Sequence, residues 1–320
     1  MNTYLKNKPA WTQLLIFGGI TFVLAFFVTA IGTLILASIN HMSLSDLRNI
    51  TPEDYSKPQY APLTKGLLIV QFFGFFFLPS MIFAYFADPK PLKFAGLRKP
   101  DRAGFVFLGT LIILCSYVMV AWLSELNQEI VKNFLGKSAQ QWIEKSESDV
   151  NATLQNILTM KNPIDLIISI FLVGVLAAVG EELFFRGILQ RIFIQICKSP
   201  WLGIILTAAI FSAVHGQFLG FLPRMILGII LGALYWYSGS LIPAIVGHFV
   251  FNSIQVCLVY FKVWDVNQPS GMNEKMLPVA GIISIVAIVA LMNYIRKRSL
   301  TTYDRVYGTG TDTNMRELDL

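Results

Sequence analysis

The sequence predicts an all-α bundle of about eight transmembrane helices, and three observations carry that prediction. Hydrophobic residues make up 55% of the 320 and charged residues only 14%, with a mean hydropathy of +0.60; no soluble domain of this length could bury that much apolar surface. Apolar runs close to the roughly 20 residues that cross a bilayer core recur along the chain. Lysine and arginine gather beside these runs in alternate loops, which is the pattern of cytoplasmic loops, so the net charge of +6 calls for no nucleic-acid partner.

The first span runs from about Trp11 to Ile39. Lys6 and Lys8 precede it, as in a secretory signal. Its apolar core exceeds the roughly 7–15 residues of a signal's hydrophobic region and no small-x-small site follows, so a retained helix is expected. The second span is Gly66 to Phe86 and the third Gly104 to Leu123, and the loop between them holds Lys90, Lys93, Arg98, Lys99 and Arg102. A long loop of mixed charge follows, with an amphipathic helix expected around Leu135 to Ile143. The fourth span begins at Pro163 and continues to Ile196, longer than a crossing requires. Shorter spans then run from Trp201 to Val214, Phe221 to Tyr237 and Leu241 to Tyr260, and the last from Leu277 to Tyr294.

Arg191 and Lys198 flank the end of the fourth span, and Arg296, Lys297 and Arg298 follow the eighth. Both termini are therefore expected in the cytoplasm, and an even number of crossings agrees. Three units result: residues 1–160 with three helices and their loops, residues 161–295 with the charged helix bundle and the last span, and a polar cytoplasmic tail at 296–320. With no eukaryotic targeting signal recognised, a multi-pass protein of a bacterial cell (inner) membrane is expected. Cys115, Cys197 and Cys257 form no CxxC or metal-like spacing and read as free, buried thiols. Gly228 and Gly232 in GIILG offer a neighbouring helix a close approach.

One stretch breaks the apolar pattern. GEELFFRG, at 180–187, places Glu181, Glu182 and Arg186 inside the fourth span. Each ionisable group at the centre of such a helix costs about 2.5–3.5 kcal/mol unless it finds a partner or water. Glu182 and Arg186 are four residues apart, share a face and can pair. Glu181 lies about 100° around the helix, and its own partner at that spacing is the apolar Phe185. Glu181 is thus the carboxylate with no local countercharge.

The strong polar groups that could meet it are few. His41 falls in the first external loop and reads as a solvated residue, whereas His215 in FSAVHG and His248 in VGHFVFN lie in or at the end of apolar helices. Asn252 follows His248 by one turn, and Phe211 precedes His215 by one turn, so a ring should flank that imidazole. Because lipid cannot satisfy polar groups, Glu181, His215, His248 and Asn252 are expected to converge. Counting from the cytoplasmic helix ends, however, puts His215 roughly 20 Å deep and His248 only about 10 Å deep. A carboxylate and an imidazole can deprotonate water, while an amide and a second imidazole can donate to an oxyanion, a combination suited to peptide-bond hydrolysis. One glutamate and two histidines also match the composition of a catalytic zinc site. HExxH is absent, since Gly216 follows His215 and Phe249 follows His248, which excludes a zincin helix.

EELFFR resembles the EExxxR motif of the CPBP family, the CAAX proteases and bacteriocin-processing enzymes also called the Abi family. FSAVH, with Phe211 and His215, is similar to its FxxxH motif, and HFVFN, with His248 and Asn252, to its HxxxN motif. The resemblance implies an intramembrane endopeptidase acting on a peptide precursor or a membrane protein, with the lipid bilayer as its other partner. It makes Glu181 the base that activates water with His215, and His248 and Asn252 the oxyanion donors. Glu182 and Arg186 organise the site, with Phe211 in support. A divalent metal such as zinc, held by Glu181, His215 and His248, and a metal-free glutamate mechanism both stay open. Two readings stand beside the protease: a non-catalytic scaffold or immunity protein, and a proton-coupled transporter. The latter would call for inverted repeats with broken helices, and the charged helix has no counterpart among the first three.

Overall fold

In hydrocarbon every backbone N–H and C=O must be satisfied within its own segment, so apolar runs of this length have only the helix or the closed barrel available. A computed structural model describes residues 4–5, 7–263 and 276–303, and among them every regular element is helical. The longer ones are α1 (Ala10–Ile39), α2 (Pro58–Ala87), α3 (Gly104–Phe134), α4 (Lys137–Ile157), α5 (Pro163–Cys197), α6 (Pro200–Ala213), α7 (Phe221–Ser238), α8 (Ile242–Tyr260) and α9 (Leu277–Arg298).

The helix boundaries follow local chemistry. Pro163 opens α5, and the side chain of Asn162 before it accepts from the backbone N–H groups of Ile164 and Asp165. Pro200 opens α6 in the same way, with Ser199 Oγ accepting from Leu202 N. Between these two helices Lys198 turns the chain in the left-handed conformation. Helix α5 contains two π-helical stretches, Ile170–Leu176 and Glu182–Gln190, and α2 contains one at Phe72–Phe77. Such widened turns are uncommon and tend to accompany functional sites.

Helix α1 turns Leu15, Phe22, Phe26 and Ile31 outward, as a lipid-facing helix does. Helix α3 packs against α7, α8 and α9, and their apolar cluster is built around Ile112, Leu234, Phe251 and Ile288. A second cluster joins α1, α2 and α5 through Phe17, Phe83 and Phe185, and takes in Phe211 of α6.

Among the described residues seven helices are long and apolar enough to cross a membrane, rather than eight. The exception is α6, whose 14 residues reach only about 21 Å against a hydrocarbon core of about 30 Å. It folds back on α7 as a hairpin, because the sequence HGQFLG after it cannot continue a helix and Gly216 turns the chain at φ +67°. Side chains of α3 and α4 hold the hairpin tip, residues 214–220, from outside. Asn127 Nδ2 near the end of α3 donates to the carbonyls of Phe218 and Leu219, Ser146 Oγ of α4 donates to Gly216 O, and Glu147 Oε1 of α4 accepts from Leu219 N. Helix α4 is the amphipathic helix expected at Leu135 to Ile143, displaced and extended to Lys137–Ile157. Helix α3 also runs on past Leu123 to Phe134, which is how Asn127 reaches the tip. The tail beyond Tyr303 lies outside the described residues.

Small residues let α5 and its neighbours touch backbone to backbone. A Cβ on Gly203 of α6 would lie 2.6 Å from Ile194 N and 2.8 Å from Ile194 Cα, and one on Gly187 would lie 2.8 Å from Ala95 O. The GIILG motif behaves as its spacing suggests, with Gly228 against Ala208 and Gly232 against Gln190 and Ile204. Gly203→Ala is therefore expected to lower stability by about 1–3 kcal/mol, since backbone rather than a flexible side chain must yield. Thermal unfolding in detergent micelles measures this, and Gly104→Ala, where nothing lies within 4 Å, is the control.

Candidate active site

The helices do not start at one level, and this removes the mismatch in depth that counting produces. Gly203 of α6 abuts Ile194, and the Phe211 ring lies 5.1 Å from that of Phe185, so α6 begins level with the end of α5 and brings His215 back toward Glu181. Helix α8 begins deeper. The N–H of Leu241 donates to Gly96 O, beside the point where Gly187 meets Ala95. His248, one and a half turns into α8, thereby reaches Glu182.

Glu182 is fully buried, and its Oε1 accepts two hydrogen bonds, from Arg186 Nη1 at 2.7 Å and from His248 Nδ1 at 2.9 Å. Arg186 is 1% exposed, donates also to Gly228 O at 3.3 Å, and lies 4.4 Å over the Phe211 ring. Spacing along the helix anticipates the Glu182–Arg186 pair. It does not anticipate that His248 joins it, with its other ring nitrogen, Nε2, 3.8 Å from Glu181 Oε2. Two carboxylates about 100° apart on an ideal helix share one imidazole because the ring presents a nitrogen to each. Glu181 retains 14% exposure, whereas Glu182 has none. The second oxygen of Glu182 has no hydrogen-bond partner among the described protein groups.

His215 does not share in these bonds. Its Nδ1 lies 2.7 Å from Phe211 O; a carbonyl only accepts, so Nδ1 carries the proton and Nε2 is left as a lone pair. It stands near the other groups through Phe211, whose ring is 4.9 Å from His215 and 6.2 Å from His248. The ring expected beside His215 is thus a hub between both histidines and Arg186. Asn252 is turned to α5, where Nδ2 donates to Val173 O at 2.9 Å in the first π-helical stretch. Direct contact therefore unites Glu181, Glu182, Arg186 and His248, with His215 and Asn252 flanking.

Among the described residues no three His, Cys, Asp or Glu side chains are gathered closely enough to hold a metal ion. Nδ1 of each histidine is already engaged, which leaves Nε2 of His215 and of His248 as the nitrogens that would face a metal beside Glu181.

Sequence reasoning overlooked Arg224 on α7, although a lone arginine in the apolar run FLPRMILG was a visible signal. Its Nη2 donates to Gln217 Oε1 at 2.7 Å and its Nη1 to Gln217 O at 3.4 Å, and its charge is felt at both Glu181 and His215. Glu147, in a charged loop with no distinguishing pattern, gave no signal at all.

Residues 163–254 match the family model described as type II CAAX prenyl endopeptidase Rce1-like. An uncharacterized 24.3 kDa protein of Escherichia coli is 31% identical over 88 residues, which cover 26% of this chain and 41% of that protein. The uncharacterized protein YpbD of Bacillus subtilis (strain 168) is 27% identical over 97 residues, which cover 29% of this chain and 47% of YpbD. The chain spans less than half the length of these curated relatives, and no solved structure matches it. Residues 163–254, which hold EELFFR, FSAVH and HFVFN together with the bridging histidine, are thus the segment of the chain that is similar to the Rce1-like family.

Proposed function

We propose that the protein is an intramembrane endopeptidase that hydrolyses peptide bonds of membrane-associated or peptide-precursor substrates. The observation that carries this reading is the division of labour between adjacent carboxylates. Glu182 is saturated on one oxygen by Arg186 and His248, while Glu181 keeps some exposure and faces only His248 Nε2 across 3.8 Å. A gap of that width suits a water bridging the two groups.

In this mechanism Glu181 takes a proton from the water as the water oxygen bonds to the peptide carbonyl carbon and the carbonyl electrons move onto oxygen. The tetrahedral oxyanion receives a hydrogen bond from Asn252, whose amide has a second N–H beyond the one given to Val173 O, with His248 one turn away on the same helix. Glu181 then returns the proton to the departing nitrogen, the C–N bond breaks, and an amine and a carboxylic acid leave. His215 Nε2, free to accept, helps to orient the water. Arg186 and Glu182 hold His248 in place, and Phe211 packs against Arg186, His248 and His215. Each of these steps is carried by the chain's own residues.

The protein acts as a multi-pass component of a bacterial cell membrane with both termini in the cytoplasm. The basic loop at Lys90 to Arg102 and the Arg296–Arg298 cluster support this orientation. The shortness of α6 leaves it intact, because a hairpin of α6 and α7 enters and leaves on one face. Mass spectrometry of protein termini in membranes from cells making the wild type or Glu181→Ala tests the activity. New termini with the wild type alone are expected. Identical termini, with both proteins accumulated equally, would sink the proposal.

A further inference from the structure

Three arginines sit within the catalytic half of the bundle, and they differ in how their charge is met. Arg186 has the carboxylate of Glu182 at 2.7 Å, and Arg191 stacks on the Phe94 ring at 4.3 Å. Arg224 is partly buried and bonded only to the neutral Gln217, through side chain and backbone oxygens. No carboxylate lies within ion-pair distance of it. The nearest acid on α4, Glu147, has Oε1 engaged by Leu219 N at 2.7 Å, and burial pushes its carboxyl up against the opposing pull of that N–H and of Arg224. A guanidinium has five N–H donors in a planar fork matched to a carboxylate, and Gln217 leaves most of them unused.

Position makes this unspent charge informative. Arg224 projects from the first turn of α7, and Gln217, to which it is bonded, stands on the hairpin tip two residues after His215. Its fork of donors is left without a hydrogen-bonded carboxylate, which a ligand can supply.

Resting on the protease reading, we propose that Arg224 is a substrate-binding residue that receives a carboxylate of the substrate close to the scissile bond. Two sources offer that chemistry, a free chain terminus and an acidic side chain. Gln217 serves as the holder: its Oε1 and carbonyl orient the guanidinium, and its own amide is held by Asn151 Oδ1 of α4 at 3.1 Å. The carboxylate thus docks at the hairpin tip while the peptide bond lies toward Glu181.

Binding without turnover separates this idea from the protease reading. Glu181→Gln protein in nanodiscs is titrated with three short apolar peptides that carry a fluorophore at the amino end. One has a free carboxyl terminus, one is amidated, and one is amidated but carries an aspartate near that end. A charged hydrogen-bonded contact makes at least one of the two acidic peptides bind about tenfold tighter than the neutral one. Which of them gains names the source. Adding Arg224→Gln removes the gain and leaves neutral-peptide binding unchanged, and Arg224→Lys retains part of it. Equal binding of all three peptides, no binding by any, or a uniform loss in Arg224→Gln would overturn the proposal. If Arg224→Gln fails to fold, the comparison of peptides on Arg224-bearing protein and on Arg224→Lys still decides. Failure of the protease reading registers elsewhere, as unchanged termini in cells.

Discussion

Glu181→Gln is expected to slow peptide-bond cleavage by about 10²–10⁴-fold, the range that a single acid–base group supplies, while the protein inserts and folds as before. The substitution is nearly isosteric, and the carboxylate it removes has no ion-paired arginine or lysine to strand. The imidazole that faces it, His248, keeps its anchor on Glu182 at 2.9 Å. Stability should not fall and is free to rise, because an ionised group in a low-dielectric span is removed. The measurement pairs cleavage of a fluorogenic peptide in reconstituted membranes with thermal unfolding of the same preparation. Retained activity at unchanged stability would remove Glu181 from the chemistry.

Arg186→Ala should behave in the opposite way and lose stability first, by about 3–5 kcal/mol, as expected when a buried pair loses one partner. Glu182 would keep its charge at zero exposure, with one oxygen already unpartnered and the other reduced to a single bond from His248. Phe211 would lose the guanidinium lying 4.4 Å above its ring, and Gly228 O its donor. The double variant Glu182→Leu, Arg186→Met separates packing from function. Replacing both charges by apolar side chains of similar size should restore most of the stability. It should not restore cleavage, because Glu182 also fixes His248 Nδ1 and with it the nitrogen facing Glu181. Recovery of both together would show that Glu182 matters only as a countercharge.

The spans were legible because hydrocarbon leaves the backbone so little choice; apolar length alone locates α1, α3, α5, α8 and α9. The Glu182–Arg186 pair was legible because it is local, fixed by four residues of one helix. What the sequence hid depends on how separate helices are offset. The start of α8 below that of α6 decides that His248 meets Glu182, and the contact of Gly203 with the Ile194 backbone decides where His215 stops; neither is written in any one segment. Arg224 was visible as a charge but not as an unpaired one, since its pairing depends on which residues the hairpin tip and α4 bring near it. The length of α6 was legible, at 14 residues within one position of its observed bounds, but it was counted as a crossing for a related reason. Val214 and the apolar residues before it look like a span until Gly216 is known to turn the chain.

That short helix also bears on the lipid around it. One face of α6 is turned outward, with Trp201, Leu202, Leu206 and Ile210 exposed, yet it reaches only about 21 Å beside longer neighbours. A bilayer meets such a mismatch by thinning locally and drawing its headgroups inward. The thinned annulus lies on the flank of the bundle that carries His215, so polar headgroups and the water around them come nearest to the site on that side. The hydrolysis proposed above needs water as its second substrate, deep in an apolar bundle. The undersized helix shortens that journey by reshaping the membrane instead of opening the protein.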